Sequence, residues 1–354
     1  MGSRLSRRGF TMLEMLIAVG ISTVVVGGLY GLFTVQSRQF VYQDLRMSMH
    51  QNLRFGMDIV TRTVRMAGYG TGNATTGLWG WDGSGFDDDD SLAPIITYNG
   101  WDGSTHDAIT IVYGDPSLEI ATNVLNTHTC NATTLNFPMG TRNYSSLITN
   151  YNSGEILMCW DVANITGIES YMWEIGTAGD ASSGTIGVLD NSVYTDFDAV
   201  CATGENLPPA MSCSKAHVVT FYIDDADDDT GPGTPDHPVL MMDLDMDFPD
   251  ADDVPLVDDI EDMQLAYCVD DGGTSATGCT WVNNTDLTNA QAAAVWMVRV
   301  TLVARTPRPD PRDIHTEFRP ETIEDYDATS SYTESDNYYR QALTTVVTAR
   351  NLRM

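Results

Sequence analysis

The chain has 354 residues, and its 49 acidic side chains outnumber its 18 basic ones to give a formal net charge of −31. A surface this acidic repels nucleic acid and anionic lipid headgroups, so the composition argues against both as partners. Cation binding, a salty habitat and simple solubility would each account for the charge, and the composition does not choose among them. The apolar content, 42%, is sufficient for a packed core.

The first 37 residues combine a short basic leader with a charge-free segment. Three arginines lie in the leader, residues 1–9, and no residue between 15 and 37 is charged. At about 1.5 Å per residue that stretch spans roughly 35 Å as a helix, against a bilayer core of about 30 Å. The positive-inside rule keeps the leader in the cytoplasm, so everything after about residue 40 is expected in the periplasm.

A single carboxylate, Glu14, immediately precedes the charge-free segment. A charge inside the membrane costs on the order of 2.5–3.5 kcal/mol even on lenient insertion scales, so Glu14 is expected to have a partner. The alternative is a carboxylate that snorkels to the membrane surface.

Residues 9–14, Gly-Phe-Thr-Met-Leu-Glu, together with the basic leader and the apolar run, resemble the class III signal of type IV prepilins. The resemblance implies cleavage by prepilin peptidase after Gly9, a methylated new N-terminus at Phe10, and Glu14 as the fifth mature residue. In that family the glutamate neutralises the N-terminal ammonium of a neighbouring subunit. An ordinary secretory signal would need a small-residue cleavage site after the apolar run, and none is present there. A plain membrane anchor would leave Glu14 and the Gly-Phe junction unexplained.

The helix is predicted to continue beyond the membrane as an amphipathic segment. Apolar residues recur there at spacings of four or seven with arginines between them: Val41, Leu45, Met49, Leu53, Val60 and Val64. Glycines predict a C-terminal cap near residues 67–70. The expected domains are a leader at 1–9, a transmembrane and assembly helix at 10–37, its amphipathic continuation at 38–68, and a globular β-rich head at 69–354.

Strands dominate the rest of the chain. Short β-branched and aromatic runs bounded by Gly, Asn and Asp predict strands at residues 108–113, 155–160, 217–223, 263–269 and 295–304. Alternation along the last run predicts one buried face, and residues 70–106 and 172–200 are expected to be long polar connections. The fold class is therefore predicted to be α+β, with a long N-terminal helix packed on an antiparallel, sheet-rich head.

Six cysteines lie on the expected periplasmic side: Cys130, Cys159, Cys201, Cys213, Cys268 and Cys279. An even number in an oxidising compartment favours disulfides, and six cysteines allow 15 pairings. Local spacing favours Cys201–Cys213 and Cys268–Cys279, which leaves Cys130 for Cys159. No Cys or Cys/His spacing typical of a zinc or redox site is present.

An acidic stretch directly after the predicted strand at 217–223 offers a candidate calcium site. Asp225, Asp227 and Asp229 have the first three spacings of a calcium loop, but Thr230 replaces the required glycine and no glutamate stands at position twelve. The alternative is a solvated hairpin tip. We expect no required cofactor, with calcium as the candidate ligand.

No hydrolase, zinc-protease or P-loop motif is present, and the six histidines are scattered, which predicts that the chain is not an enzyme. The helix exit at residues 64–70, the strand at 107–113, and the segments 257–267, 298–307, 339–346 and 350–351 are similar to those of the PilW family of minor pilins. That resemblance implies a priming or tip complex with other minor pilins, the major pilin and the inner-membrane assembly machinery, with a tip adhesin as a further candidate partner. The same N-terminus also fits a J-type pseudopilin of type II secretion, and the acidic loops fit a tip-borne ligand-binding module.

Overall fold

The structure, a computed structural model, describes most of the chain in segments. The described residues are 11–70, 78–79, 91–101, 106–118, 120–121, 129–131, 134–136, 148–161, 170–180, 185–188, 211–225, 237–244, 249, 253–272, 278–309, 338–349 and 351–352. The chain divides into two compact units, one ending at Ser48 and one from Met49 to Met354.

One helix, α1, runs from Met12 to Met66 without interruption. Its apolar N-terminal part belongs to the first unit, where the side chains are exposed. Its last part belongs to the second unit and buries one face there: Met49, Leu53, Gly56, Met57, Val60, Thr61 and Val64. The helix ends where glycines permit a reversal, since Gly68 and Gly70 both have φ of 76°. The predicted helix and its end are confirmed.

Seventeen strands and one short second helix are described after α1. The strands are β1 (Leu78–Trp79), β2 (Ser91–Leu92), β3 (Ile95–Tyr98), β4 (Ala108–Gly114), β5 (Ile120–Ala121), β6 (Thr129–Asn131), β7 (Thr134–Asn136), β8 (Ile156–Asp161), β9 (Ser170–Asp180), β10 (Thr185–Val188), β11 (Met211–Asp224), β12 (Val239–Asp243), β13 (Val254–Asp258), β14 (Ile260–Asp270), β15 (Cys279–Val282), β16 (Val295–Arg305) and β17 (Arg340–Thr348). The second helix, α2 (Asn289–Ala293), begins with a capping box between Thr288 and Gln291. A strand is present at each of the five predicted positions.

The larger sheet is organised around β11, its longest strand. The first half of β11 pairs with β8 and its second half with β12, while β4 and β5 also pair with it. From β8 the sheet continues through β9, β10 and β7 to β6. Within this part of the chain, residues 172–200 were expected to be a polar connection. That expectation was wrong, because β9 and β10 lie there and bury Trp173 and Ile175 completely.

The smaller sheet has four antiparallel strands in the order β15-β14-β16-β17. One of its two central strands, β16, alternates in exposure only near its start, since Val300 to Ala304 are all buried. The prediction of one buried face therefore fails for the second half of β16. A strand covered on both faces shows no alternation, and this coverage is decided by what packs on the sheet.

Both sheets pack on α1 at Gly56. A Cβ at that position would lie 3.2 Å from Leu240 Cδ2 on β12 and 3.4 Å from Leu302 Cδ1 on β16. The missing side chain lets the helix backbone approach both strands. The sheets themselves meet at Asp259, a non-glycine residue with φ of 63° that turns the chain from β13 into β14. The predicted α+β architecture, a long helix on an antiparallel β-rich head, is confirmed.

Candidate assembly helix and its anchorage

The described part of α1 opens with a capping box built from Thr11 and Glu14. The amide nitrogen and Oγ1 of Thr11 each donate a hydrogen bond of 2.9 Å to Glu14 Oε2. In return, the amide nitrogen of Glu14 donates to Thr11 Oγ1 at 3.3 Å. This reciprocal pairing satisfies donors that the first helical turn leaves free. Both side chains are exposed, so Glu14 has a local partner in the single chain and stays accessible to a second one.

Gly9 and Phe10 lie outside the described residues, so cleavage and methylation at that junction stay predictions. The helix that follows is long and apolar enough to cross a membrane, with a mean hydropathy of 2.1 in an 18-residue window and none of that window buried. Its large side chains from Met12 to Val35 are all more than half exposed. An apolar surface of this length needs lipid or other helices to cover it.

In the second unit, α1 is fastened by polar contacts as well as by its apolar face. Asn52 Nδ2 donates to the carbonyl oxygen of Asp258 at 3.0 Å, one turn before the close approach at Gly56. Because Asp258 is the last residue of β13, this bond joins the helix to the corner where the two sheets meet.

The exit from α1 is held by the C-terminal end of the chain and by β4. The side-chain amide of Asn351 donates to the carbonyl oxygens of Met66 and Ala67, both at 3.4 Å, and so occupies acceptors at the helix terminus. The amide of Gly68 donates to Val112 on β4 at 3.0 Å. A Cβ on Gly68 would lie 2.3 Å from Leu352 Cδ2, which shows how closely the tail seals the exit. Two of the segments that resembled the PilW family, the helix exit at 64–70 and the C-terminal one that includes Asn351, thus meet in space.

Asp107, expected from the sequence only as the start of a strand, joins the two sheets. Its amide donates to the carbonyl oxygen of Met263 at 2.9 Å, and its Oδ2 accepts from the amide of Leu265 at 2.8 Å. Its Oδ1 accepts from the amide of Gly100 at 3.2 Å. The Asp107 carboxylate therefore accepts a hydrogen bond from the backbone of β14 at a point where no described strand supplies an acceptor. The side chain is almost fully buried. A carboxylate just before a buried strand was the available sequence signal, but its partner lies 158 positions away.

The neighbouring residue, His106, lies just before β4, and only 14% of its side chain is exposed. His106 is largely buried, and its Nδ1 lies 2.9 Å from Oδ1 of the buried Asp262 on β14. Its Nε2 lies 3.8 Å from Asp225 Oδ2, at the beginning of the acidic stretch. Burial alone would lower the pKa of His106, but the hydrogen bond and charge of Asp262, with the charges of Asp225 and Glu261, raise that pKa above its usual value.

The acidic stretch begins where the hairpin of β11 and β12 ends, since Asp224 pairs with Val239. The hairpin given as the alternative interpretation of this stretch is thus present at its base. Asp225 is exposed there, whereas Asp227 and Asp229 lie outside the described residues. At the other end of the stretch, His237 Nδ1 lies 2.8 Å from Oδ1 of Asp259 at the sheet corner. Within the described residues no group of three metal-ligating side chains comes together.

Two disulfides are described, and one of them corrects the expected pairing. Cys268 is joined to Cys279 across β14 and β15, as predicted. Cys213 is joined to Cys159, not to Cys201, and the predicted Cys130–Cys159 bridge is wrong for the same reason. Cys159 and Cys213 stand directly opposite each other on β8 and β11, and their Cα atoms are 4.0 Å apart. The strand register selects this pair although 54 positions separate the two residues.

Comparison with known proteins gives two family matches. Residues 220–351 match the model of the Type IV Pilus-assembly protein W family, PilW. Residues 4–30 match the Prokaryotic N-terminal methylation motif. No curated protein matches the chain. Among solved structures, a type IV-like pilin from Thermus thermophilus aligns with 10% sequence identity and a TM-score of 0.35, covering 86% of this chain and 97% of that one.

The matched segments coincide with the features that the structure brings out. The methylation motif contains the Gly9-Phe10 junction, the capping box and the first apolar turns of α1. The PilW match contains the last five residues of β11, all four strands of the smaller sheet and Asn351 at the helix exit. Together the two matches support a PilW-type minor pilin with a class III prepilin leader.

Proposed function

We propose that this protein takes part in the initiation of type IV pilus assembly, in a priming or tip complex, after prepilin peptidase cleaves between Gly9 and Phe10. The observation that carries the proposal is Glu14, an exposed carboxylate at the start of an apolar helix that nothing in the described chain covers. Assembly, rather than catalysis, is the role that such a helix supports.

Cleavage would supply the cation that Glu14 requires. A free N-terminus at Phe10 is a positive charge created four residues before the carboxylate. In a low-dielectric environment a carboxylate and an ammonium on neighbouring subunits satisfy each other, and either one alone is costly. The capping box keeps Glu14 hydrogen-bonded until a second chain arrives, because Thr11 supplies both donors. Docking would then exchange or supplement these local bonds.

The size of the head supports a terminal position. About 285 residues follow the helix, which is bulky for every turn of a thin fibre but not for its end. In this proposal the leader starts in the cytoplasm, the helix anchors the chain in the inner membrane, and the head lies in the periplasm until the pilus carries it to the cell surface. The partners are then prepilin peptidase, other minor pilins, the major pilin and the inner-membrane assembly machinery, with a tip adhesin as a further candidate.

The test is the replacement Glu14→Gln in the full chain, because glutamine removes the charge but preserves the size and an acceptor for Thr11. We expect sheared surface pilin to fall to the level of a strain deleted for this gene, while the thermal unfolding of the detergent-solubilised protein is unchanged. A matched control is Asp44→Asn, an exposed carboxylate further along the same helix, which should leave surface pilin unchanged.

The same strains separate the pilus role from the J-type pseudopilin alternative. Loss of surface pili with intact protein secretion supports the proposal. Normal pili with a secretion defect would instead assign the protein to type II secretion as a pseudopilin. Normal results in both assays would contradict an assembly role.

A second candidate function is calcium binding at the acidic hairpin. Its support is Asp225, an exposed carboxylate at the hairpin base whose neighbours along the chain are mostly acidic. Clustered carboxylates repel one another unless a cation or solvent screens them. We propose that millimolar calcium raises the unfolding temperature, and that the combined change of Asp225, Asp227 and Asp229 to Asn removes this increase. An unchanged unfolding temperature in calcium would contradict the idea.

A further inference from the structure

The smaller sheet ends in a long strand that is paired on one side only. β17 runs from Arg340 to Thr348 and pairs with β16 along nine consecutive residues without a register shift. On its other side, no strand of the described residues pairs with it. The unpaired side of a strand presents a row of backbone donors and acceptors to any extended chain that reaches it.

This edge lacks the features by which proteins usually protect such strands. The one charged residue of β17, Arg340, is buried and paired with Glu261 on β14, and residues 341–348, Gln-Ala-Leu-Thr-Thr-Val-Val-Thr, contain neither charge nor proline. Short length, proline, charge and bulges are the usual protections. β13, at an edge of the larger sheet, has Pro255, Asp258 and a register shift against β12. β15, at the opposite edge of the smaller sheet, has only four residues.

The two faces of β17 indicate what an added strand would look like. Leu343 pairs with Leu302, which lies against Gly56 of α1, so residues added on this face would extend an apolar row. On the opposite face Val346 is half exposed, and Thr344 and Thr348 are exposed. An added strand would therefore carry apolar residues at alternate positions and residues suited to water between them.

We infer that β17 receives an extended segment of another pilus subunit, uncharged or basic and apolar at alternate positions, which adds a fifth strand to the smaller sheet. The identity of the partner rests on the proposed function. A second copy of this chain is disfavoured as the occupant, because each copy brings a net charge of −31. Backbone hydrogen bonds along the edge would hold the segment, and the apolar row beside Leu343 would select its register.

The test places the photo-crosslinking residue p-benzoylphenylalanine at Thr348 of the full chain in piliated cells. The matched control places it at Val254 on the protected edge of β13. We expect a light-dependent adduct from position 348 alone. Peptide sequencing should identify the partner as a different protein with a class III leader, joined through an uncharged or basic extended segment.

A second change tests strand addition itself. Val346→Lys puts a charge beside the proposed added strand at a half-exposed site, and Val254→Lys does the same on β13, where the side chain is 38% exposed. We expect Val346→Lys to reduce the adduct about tenfold or more and Val254→Lys to leave it unchanged. Both variants should unfold at the parent's temperature, since surface substitutions rarely affect stability by much.

An adduct to a second copy, an adduct within the same chain, no adduct, or an adduct that persists in Val346→Lys would each overturn the inference. An adduct to a protein without a class III leader would contradict the proposal that the partner is a pilus subunit. The Glu14→Gln experiment does not involve β17, so the proposed function can fail or succeed independently of these results.

Discussion

Replacing Gly68 with alanine tests how tightly the C-terminal tail seals the exit of α1. Gly68 has φ of 76°, and a Cβ there would lie 2.3 Å from Leu352 Cδ2 and 3.2 Å from Leu352 Cγ. The left-handed backbone costs an alanine about 1–2 kcal/mol. Forcing the buried Leu352 to move adds about 1–3 kcal/mol, as is typical of overpacking. The expected loss of stability is therefore about 2–5 kcal/mol.

The assay is thermal unfolding of the detergent-solubilised full chain, followed by tryptophan fluorescence. Gly154→Ala is the matched control, because Gly154 has φ of 86° but no atom within 4 Å of the position that a Cβ would take. That variant should lose only the backbone contribution of about 1–2 kcal/mol. At about 2–4 °C per kcal/mol, Gly68→Ala should unfold several degrees below the control.

A double-mutant cycle isolates the contact with the tail. Leu352→Ala removes the side chain that a Cβ on Gly68 would strike, so the two changes together should cost less than the sum of their separate costs. Equal unfolding temperatures for Gly68→Ala and Gly154→Ala, or strict additivity in the cycle, would contradict the close packing of Leu352 against Gly68.

Two further predictions concern the polar contacts between the sheets. Asp107→Asn should lower the free energy of unfolding by about 1–3 kcal/mol, because an amide has only one oxygen where the carboxylate accepts two backbone hydrogen bonds. Urea unfolding measures this loss. The control Asp270→Asn, at an exposed turn, should change the stability little. An equal loss in both variants would contradict the special role of Asp107. For His106, the raised pKa means that the folded state holds the proton more tightly than the unfolded chain. The stability it contributes is complete below the unfolded pKa of about 6.5 and is lost as pH rises through the folded pKa. The difference in unfolding free energy between wild type and His106→Gln should therefore shrink with rising pH, and a difference independent of pH would show that His106 acts only through packing.

The features that sequence could predict are those decided by neighbours along the chain. The apolar run, its carboxylate and the closing glycines specify α1 and its end, because helix formation and capping depend on residues within a few positions. The hairpin base at Asp224 and Val239 and the bridge between Cys268 and Cys279 are local in the same sense.

Other features depended on strand register and packing, which one sequence does not reveal. Cys159 meets Cys213 because β8 and β11 align them, and spacing along the chain favoured the wrong partner. Residues 300–304 of β16 are buried on both faces because other elements cover the smaller sheet, so the period of two expected for a half-exposed strand is lost.

By itself the sequence predicted the class of the protein, from a basic leader, the Gly9-Phe10 junction typical of prepilins, a membrane-length helix with Glu14 at its start, and a β-rich head. Only the tertiary structure decided which residues join the sheets and the helix exit, and which strand edge is left unpaired among the described strands. Asp107 reaches β14, Asn351 reaches the end of α1, and β17 is left with an edge that no described strand pairs. Local propensities are properties of short segments, whereas these contacts join residues far apart in the chain or depend on the order of strands in a sheet.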